Sequence, residues 1–131
     1  MDTPRGYPQP PPGWAAQIIG ETCLKYRVPY PTVTWRRSKV NVTSSGNTKW
    51  NRSGITITAG TAEMDQVLVL LHELAHWIVI NRHWRTRKGR GHTVEFWRVA
   101  FDLYEANELT ELAKSRETRK YQKARQEAAR R

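Results

Sequence analysis

The chain has 131 residues, one domain's worth, with 38% hydrophobic and 26% charged residues, so a core is possible but small. The longest apolar run, Val67-Leu68-Val69-Leu70-Leu71, falls far short of the ~20 residues of a membrane span, and the lone Cys23 excludes an intrachain disulfide or a Cys-rich zinc site. With 22 Lys and Arg against 12 Asp and Glu, the net charge of +10 suits a polyanionic neighbour, of which nucleic acid is the commonest.

Residues 1–13 hold five of the seven prolines and read as a polyproline-like arm. They carry no apolar stretch of the secretory type, so the expected location is cytoplasmic. A first helix is expected from about Trp14 to Arg27, with Ala15, Ile18, Ile19, Thr22, Cys23 and Tyr26 on one face. Pro29 and Pro31 end it. Residues 32–59 read as short strands. Thr32–Trp35 and Val40–Thr43 alternate with period two, and Ile55–Thr58 is the clearest strand. Ser44–Asn47 and Arg52–Gly54 read as turns around a possible third strand, Lys49–Asn51. The expected arrangement is a short antiparallel β-meander.

From Thr61, read as an N-cap, the period changes to that of a helix. Apolar residues at 67, 68, 70, 71, 74, 75 and 78, continuing to Ile80, predict a central, buried helix. Residues 82–90 form a basic loop with Arg82, Arg85, Arg87, Lys88 and Arg90. A last helix starts near His92, its core face formed by Val94, Trp97, Phe101 and Tyr104. Phe96, Val99, Ala100 and Leu103 widen that face. Residues 113–131 carry eight basic residues against two acids and read as a solvated tail. The chain thus divides into an arm (1–13), an α+β domain (14–112) and a basic tail (113–131).

The chemistry is concentrated in His72-Glu73-Leu74-Ala75-His76. Histidines at i and i+4 share one helical face, and their ring nitrogens can converge on a metal at about 2.0–2.1 Å. Glu73 points near that metal without ligating it, where it can take a proton from a zinc-bound water. Two imidazoles and a carboxylate in an apolar belt are costly to bury without a partner. The competing reading is a pair of hydrogen-bonded core histidines.

A catalytic zinc usually has three protein ligands and an open position. A histidine six residues after His76 would fall at Arg82, so the metzincin spacing fails. His83 lies on a similar helical face, but seven helical residues rise ~10.5 Å, too far for the same metal unless the helix breaks first. His92, after Gly91, is the leading candidate. Glu95 is the runner-up; its competing roles are a first-turn acid favoured by the helix dipole, or an acid that orients a ligand histidine.

His72-Glu73-Leu74-Ala75-His76, followed by a basic loop and then Gly91-His92-Thr93-Val94-Glu95-Phe96-Trp97, resembles the SprT-like zinc metallopeptidases. That family includes the Spartan group and its small WLM and YgjP-like relatives. The resemblance covers roughly residues 14–106, most specifically 72–97. It implies a small zincin-like domain: an N-terminal helix, a short sheet, a central active-site helix and a following helix. It implies one zinc per chain held by His72, His76 and His92, with Glu73 as general base for hydrolysis of peptide bonds, often in DNA-bound proteins. The Cys-rich ribbon that many such proteins carry has no counterpart here. Tyr104 is one candidate for a second oxyanion donor, against a plain role in the core. Strand Ile55–Thr58 is expected at the cleft edge.

The alternative is a noncatalytic basic nucleic-acid-binding protein with a structural or vestigial zinc. A structural zinc normally has four protein ligands, and no fourth is evident near the motif. Nucleic acid would be held through loop 82–90 and tail 113–131. Trp35, Trp77 and Trp97 are expected in the core. Trp50 and Trp84, beside basic residues, either pack over it or stack on bases.

Overall fold

A computed structural model describes residues 8–38, 41–49, 51–83, 91–115, 122–123 and 126–127. Among them the chain is α+β, with four helices and a small mixed sheet. The elements are β1 (Pro8–Gln9), α1 (Gly13–Tyr26), β2 (Val33–Arg37), β3 (Ser45–Thr48), β4 (Ile55–Ala59), α2 (Glu63–Arg82), α3 (Val94–Ala106) and α4 (Thr110–Ser115). Much of the basic loop (84–90) and of the tail, together with Trp50 and Trp84, lies outside the described residues. No helix among the described residues is long and apolar enough to cross a membrane.

Helix α1 buries Ala15, Ile19, Thr22 and Cys23, the face expected from periodicity. It ends at Arg27, whose left-handed backbone (φ 56°) turns its N–H back to the carbonyls of Cys23 and Leu24.

The sheet departs from an antiparallel meander. Its order is β1-β2-β4-β3, with β2 and β4 parallel (Trp35 beside Ile57) and both flanking pairs antiparallel. Trp35, Ile55, Ile57 and Ala59 place one continuous buried stripe under the helices. Residues 41–43 do not add a strand. Their carbonyls are taken by the next connection: Thr61 N–H donates to Asn41 O (2.9 Å) and Ala62 N–H to Val42 O (3.0 Å). This segment crosses the end of β4, where Gly60 has no room for a Cβ against the carbonyls of Val42 and Thr43.

Ser45–Thr48, turn-like in composition, forms β3 and pairs with β4 from Ser45↔Thr58 to Thr48↔Ile55. The turn of this hairpin lies beyond it instead, so Lys49 and Asn51 are not strand. Lys49 N–H donates to Gly54 O (2.9 Å) and Arg52 N–H to Lys49 O (3.0 Å). Strand β4, expected at the cleft edge, is therefore interior, and β3 is the edge strand on its side of the sheet.

Helix α2 packs on β3 and β4 with one side and on α1 and α3 with others. Its N-cap is Ala62 rather than Thr61, because both residues are held in the backbone pairing with 41–42. Glu63 and Asp65 in the first turn complement the helix dipole. Gln66 Nε2 donates to Gly60 O (2.7 Å) and pins the β4–α2 junction. Leu70, Leu71, Leu74 and Ile78 are fully buried. Trp77 donates its indole N–H to Pro29 O (2.7 Å), which ties α2 to the chain leaving α1.

Candidate metal centre

The central helix carries His72, Glu73 and His76, and α3 begins just after His92. Helix α3 starts at Val94, two residues beyond His92, with Thr93 as N-cap accepting from Phe96 N–H (3.3 Å). Thr93 thus turns the chain so that His92 faces α2 from outside the helix. The ring nitrogens of His72, His76 and His92 come together within 4.8 Å of one another, a group that can hold a metal ion. His92 Nε2 lies 3.1 Å from His72 Nε2 and 3.3 Å from His76 Nε2.

Hydrogen bonding does not account for that spacing. A ring nitrogen has one in-plane position, filled by a proton or by a lone pair. His92 Nε2 therefore serves at most one of its two close neighbours as a hydrogen-bond partner. A shared cation serves all three lone pairs at once. A tetrahedral ion with imidazoles at about 2.0–2.1 Å sets its ligand nitrogens about 3.3 Å apart, close to the two distances found.

Glu95 and His83 are not in the converging group among the described residues. Glu95 lies in the first turn of α3, and His83 caps the C-terminus of α2. Tyr104 is buried in the core, 4% exposed.

Phe96 underlies the three imidazoles. Its ring is fully buried, with centroids 5.0 Å from His72, 4.2 Å from His76 and 4.9 Å from His92. Trp97 flanks His92 at 5.8 Å. The periodicity of α3 marks Phe96 only as a core residue; its place under the histidines depends on how α3 crosses α2. This dry floor disfavours charged imidazoles. Burial first, and then the neighbouring His92, pushes His72 down to about 4; burial, with His72 and His92, pushes His76 down to about 3. Both rings are neutral near pH 7, the form a metal requires.

Glu73 is buried, which raises its carboxyl above the ordinary value, while a hydrogen bond from Thr48 opposes that rise. The Thr48 hydroxyl lies 2.8 Å from Glu73 Oε1 and 3.0 Å from Glu73 O, its single proton between two acceptors. Thr48 belongs to edge strand β3, 25 residues from Glu73, and nothing in the motif spacing points to it.

No protein-family model, no curated protein and no solved structure matches the chain.

Proposed function

We propose that this chain is a zinc-dependent peptidase in which His72, His76 and His92 hold the metal and Glu73 is the general base. The observation that carries this is the spacing of the three ring nitrogens: 3.1 and 3.3 Å are near the edge of a zinc tetrahedron and do not suit a hydrogen-bonded triad. An all-nitrogen set of three imidazoles suits zinc and leaves the fourth position open. Zinc bound there supplies Lewis acidity, making water more acidic and polarising a carbonyl.

The chain's own groups do the rest. Glu73, next to His72 on the same helix and kept off the metal by its direction, takes the proton of the attacking water. It then delivers that proton to the leaving amine. The aromatic floor of Phe96 and Trp97 limits water below the site, and burial keeps His72 and His76 unprotonated. A zincin-like architecture is consistent with α2 lying between an edge strand and a following helix that follows the third ligand. The +10 charge favours substrates held near polyanions, such as proteins on nucleic acid.

The decisive experiment is Glu73→Gln in zinc-loaded protein, assayed on an unfolded protein with and without DNA. Zinc content and fold should be retained while hydrolysis falls by ~10²–10⁴-fold. Wild-type turnover in that variant would remove Glu73 from the mechanism. A zinc-loaded parent chain that cleaves nothing would favour the noncatalytic, nucleic-acid-binding alternative.

A further inference from the structure

Strand β3 meets Glu73 at two points. Gly46 and Thr48 are two residues apart, so both project from the same face of the strand, toward α2. A Cβ at Gly46 would stand 2.7 Å from Glu73 Cγ, 3.0 Å from Val69 Cγ1 and 3.1 Å from Ile57 Cδ1. The stem of Glu73 therefore runs directly across the bare backbone of β3. Two residues on, the Thr48 hydroxyl reaches Glu73 Oε1 at 2.8 Å and the main-chain oxygen of the same residue at 3.0 Å. One side chain thus registers both the carboxylate and the helix that bears it.

We propose that Thr48 is the positioning residue of Glu73: its hydroxyl holds Oε1 and leaves Oε2 to receive the proton of the reacting water. This rests on the peptidase function proposed above. An unrestrained glutamate samples several rotamers about three torsions, few of which place an oxygen on the water. Thr48 restrains it well, because a β-branched side chain is stiff at χ1 and its backbone is locked to Ile55 of the interior strand. The proton balance is simple. Oε2 accepts the proton of water as the new C–O bond forms, and returns it to the amine nitrogen as the C–N bond breaks. Thr48 keeps its own proton throughout. Gly46 lets β3 come close enough for this contact, which accounts for a strand made of residues that otherwise favour turns.

The rival explanation is a strut, in which the hydroxyl serves only to attach β3 to α2. One measurement separates them, and a second tests the contact itself. The first takes kcat, KM and zinc content of the full chain as Thr48→Val and as Thr48→Ser. Thr48→Val should keep one zinc and nearly the parental KM while kcat falls by ~10–100-fold, the range expected for a misplaced reacting group. Thr48→Ser, which keeps the hydroxyl, should recover most of that loss. The second is a double-mutant cycle of Thr48→Val with Glu73→Ala, read by urea unfolding of metal-free protein. It should show a coupling of about tenfold in the folding equilibrium.

Parental kcat in Thr48→Val, or equal losses in the Val and Ser variants, would reduce Thr48 to a strut and overturn the proposal while the peptidase stands. An absent coupling would remove the contact itself. Coupling in the metal-free cycle, together with a zinc-loaded parent chain that shows no turnover, would overturn the peptidase function and, with it, the catalytic consequence drawn for Thr48.

Discussion

The imidazole of His76 lies stacked on the phenyl ring of Phe96, with centroids 4.2 Å apart and planes 27° from parallel. The same phenyl ring touches His72 and His92, so one fully buried side chain sets the orientation of all three nitrogen donors. Phe96→Ala should cost ~3–5 kcal/mol of stability. It should also weaken zinc binding without removing a ligand. Phe96→Leu should recover much of the stability and less of the affinity, because it restores bulk without the flat face. Urea unfolding and competition with a chromophoric chelator would separate the two effects. Unchanged affinity in Phe96→Ala would show that the histidines hold their geometry unaided.

One zinc per chain is expected after exhaustive dialysis, by elemental analysis. His72→Ala, His76→Ala and His92→Ala should each lose it, while Glu95→Ala and His83→Ala should keep it. Greater loss in Glu95→Ala than in His92→Ala would move the third ligand from the segment before α3 into its first turn.

Acid should destabilise the metal-free protein in a defined window. His72 and His76 have folded values of about 4 and about 3, below the ordinary value of 6.5. Between those limits the unfolded chain binds more protons than the folded one, so stability rises with pH and is lost as pH falls. Glu73 acts with the opposite sign. Its folded value is raised, so the folded state binds the extra proton and its contribution fades as pH rises through that raised value. Thermal melts from pH 4 to 7 should therefore climb more steeply in Glu73→Gln than in the parent chain, and less steeply in His76→Ala. A flat parental profile would refute the assigned burial of the two imidazoles.

Gly46→Ala should be destabilising by ~1–3 kcal/mol, since its methyl group would meet Glu73, Val69 and Ile57 at 2.7, 3.0 and 3.1 Å. Zinc content should remain near one, because no ligand moves with β3. Denaturant midpoints and metal analysis check this; a neutral substitution would mean that β3 lifts away from α2 freely.

Binding to random single- and double-stranded DNA should be weak in sequence preference and steeply salt-dependent, given the +10 charge. Neutralising Arg85, Arg87, Lys88 and Arg90, or removing 113–131, should flatten the log–log salt slope by about one unit per lost phosphate contact. No detectable binding at ~50 mM salt would leave the charge to solubility or to an acidic protein partner.

Helices α1, α2 and α3 and the histidines were legible in the residues, while α4 and the edge of the site were not. In α2 the burial of Leu70, Leu71, Leu74 and Ile78 follows helical spacing, and His72 and His76 share a face for the same reason. His92 could be picked out because a Gly-containing segment precedes a helix start. Strand β3 gave the opposite signal. Ser45, Gly46 and Asn47 favour turns locally, and only pairing with β4 and the fit of Gly46 over Glu73 override that preference. The parallel pairing of β2 with β4 was equally hidden, because strand direction depends on where the connection between them crosses. Thr48 carries no local mark at all; its role appears once register and helix are both in place.

The separation of His76 from His92, 16 residues along the chain, has a thermodynamic side that is independent of any substrate. An ion gripped by both would close that stretch into a ring and act as a removable cross-link, depriving the unfolded chain of entropy much as a disulfide does. Loops of this length are worth about 3 kcal/mol in that model. A chain with one cysteine would thus have a staple that a chelator can open and returned metal can close, with its stability set by free zinc rather than by redox state.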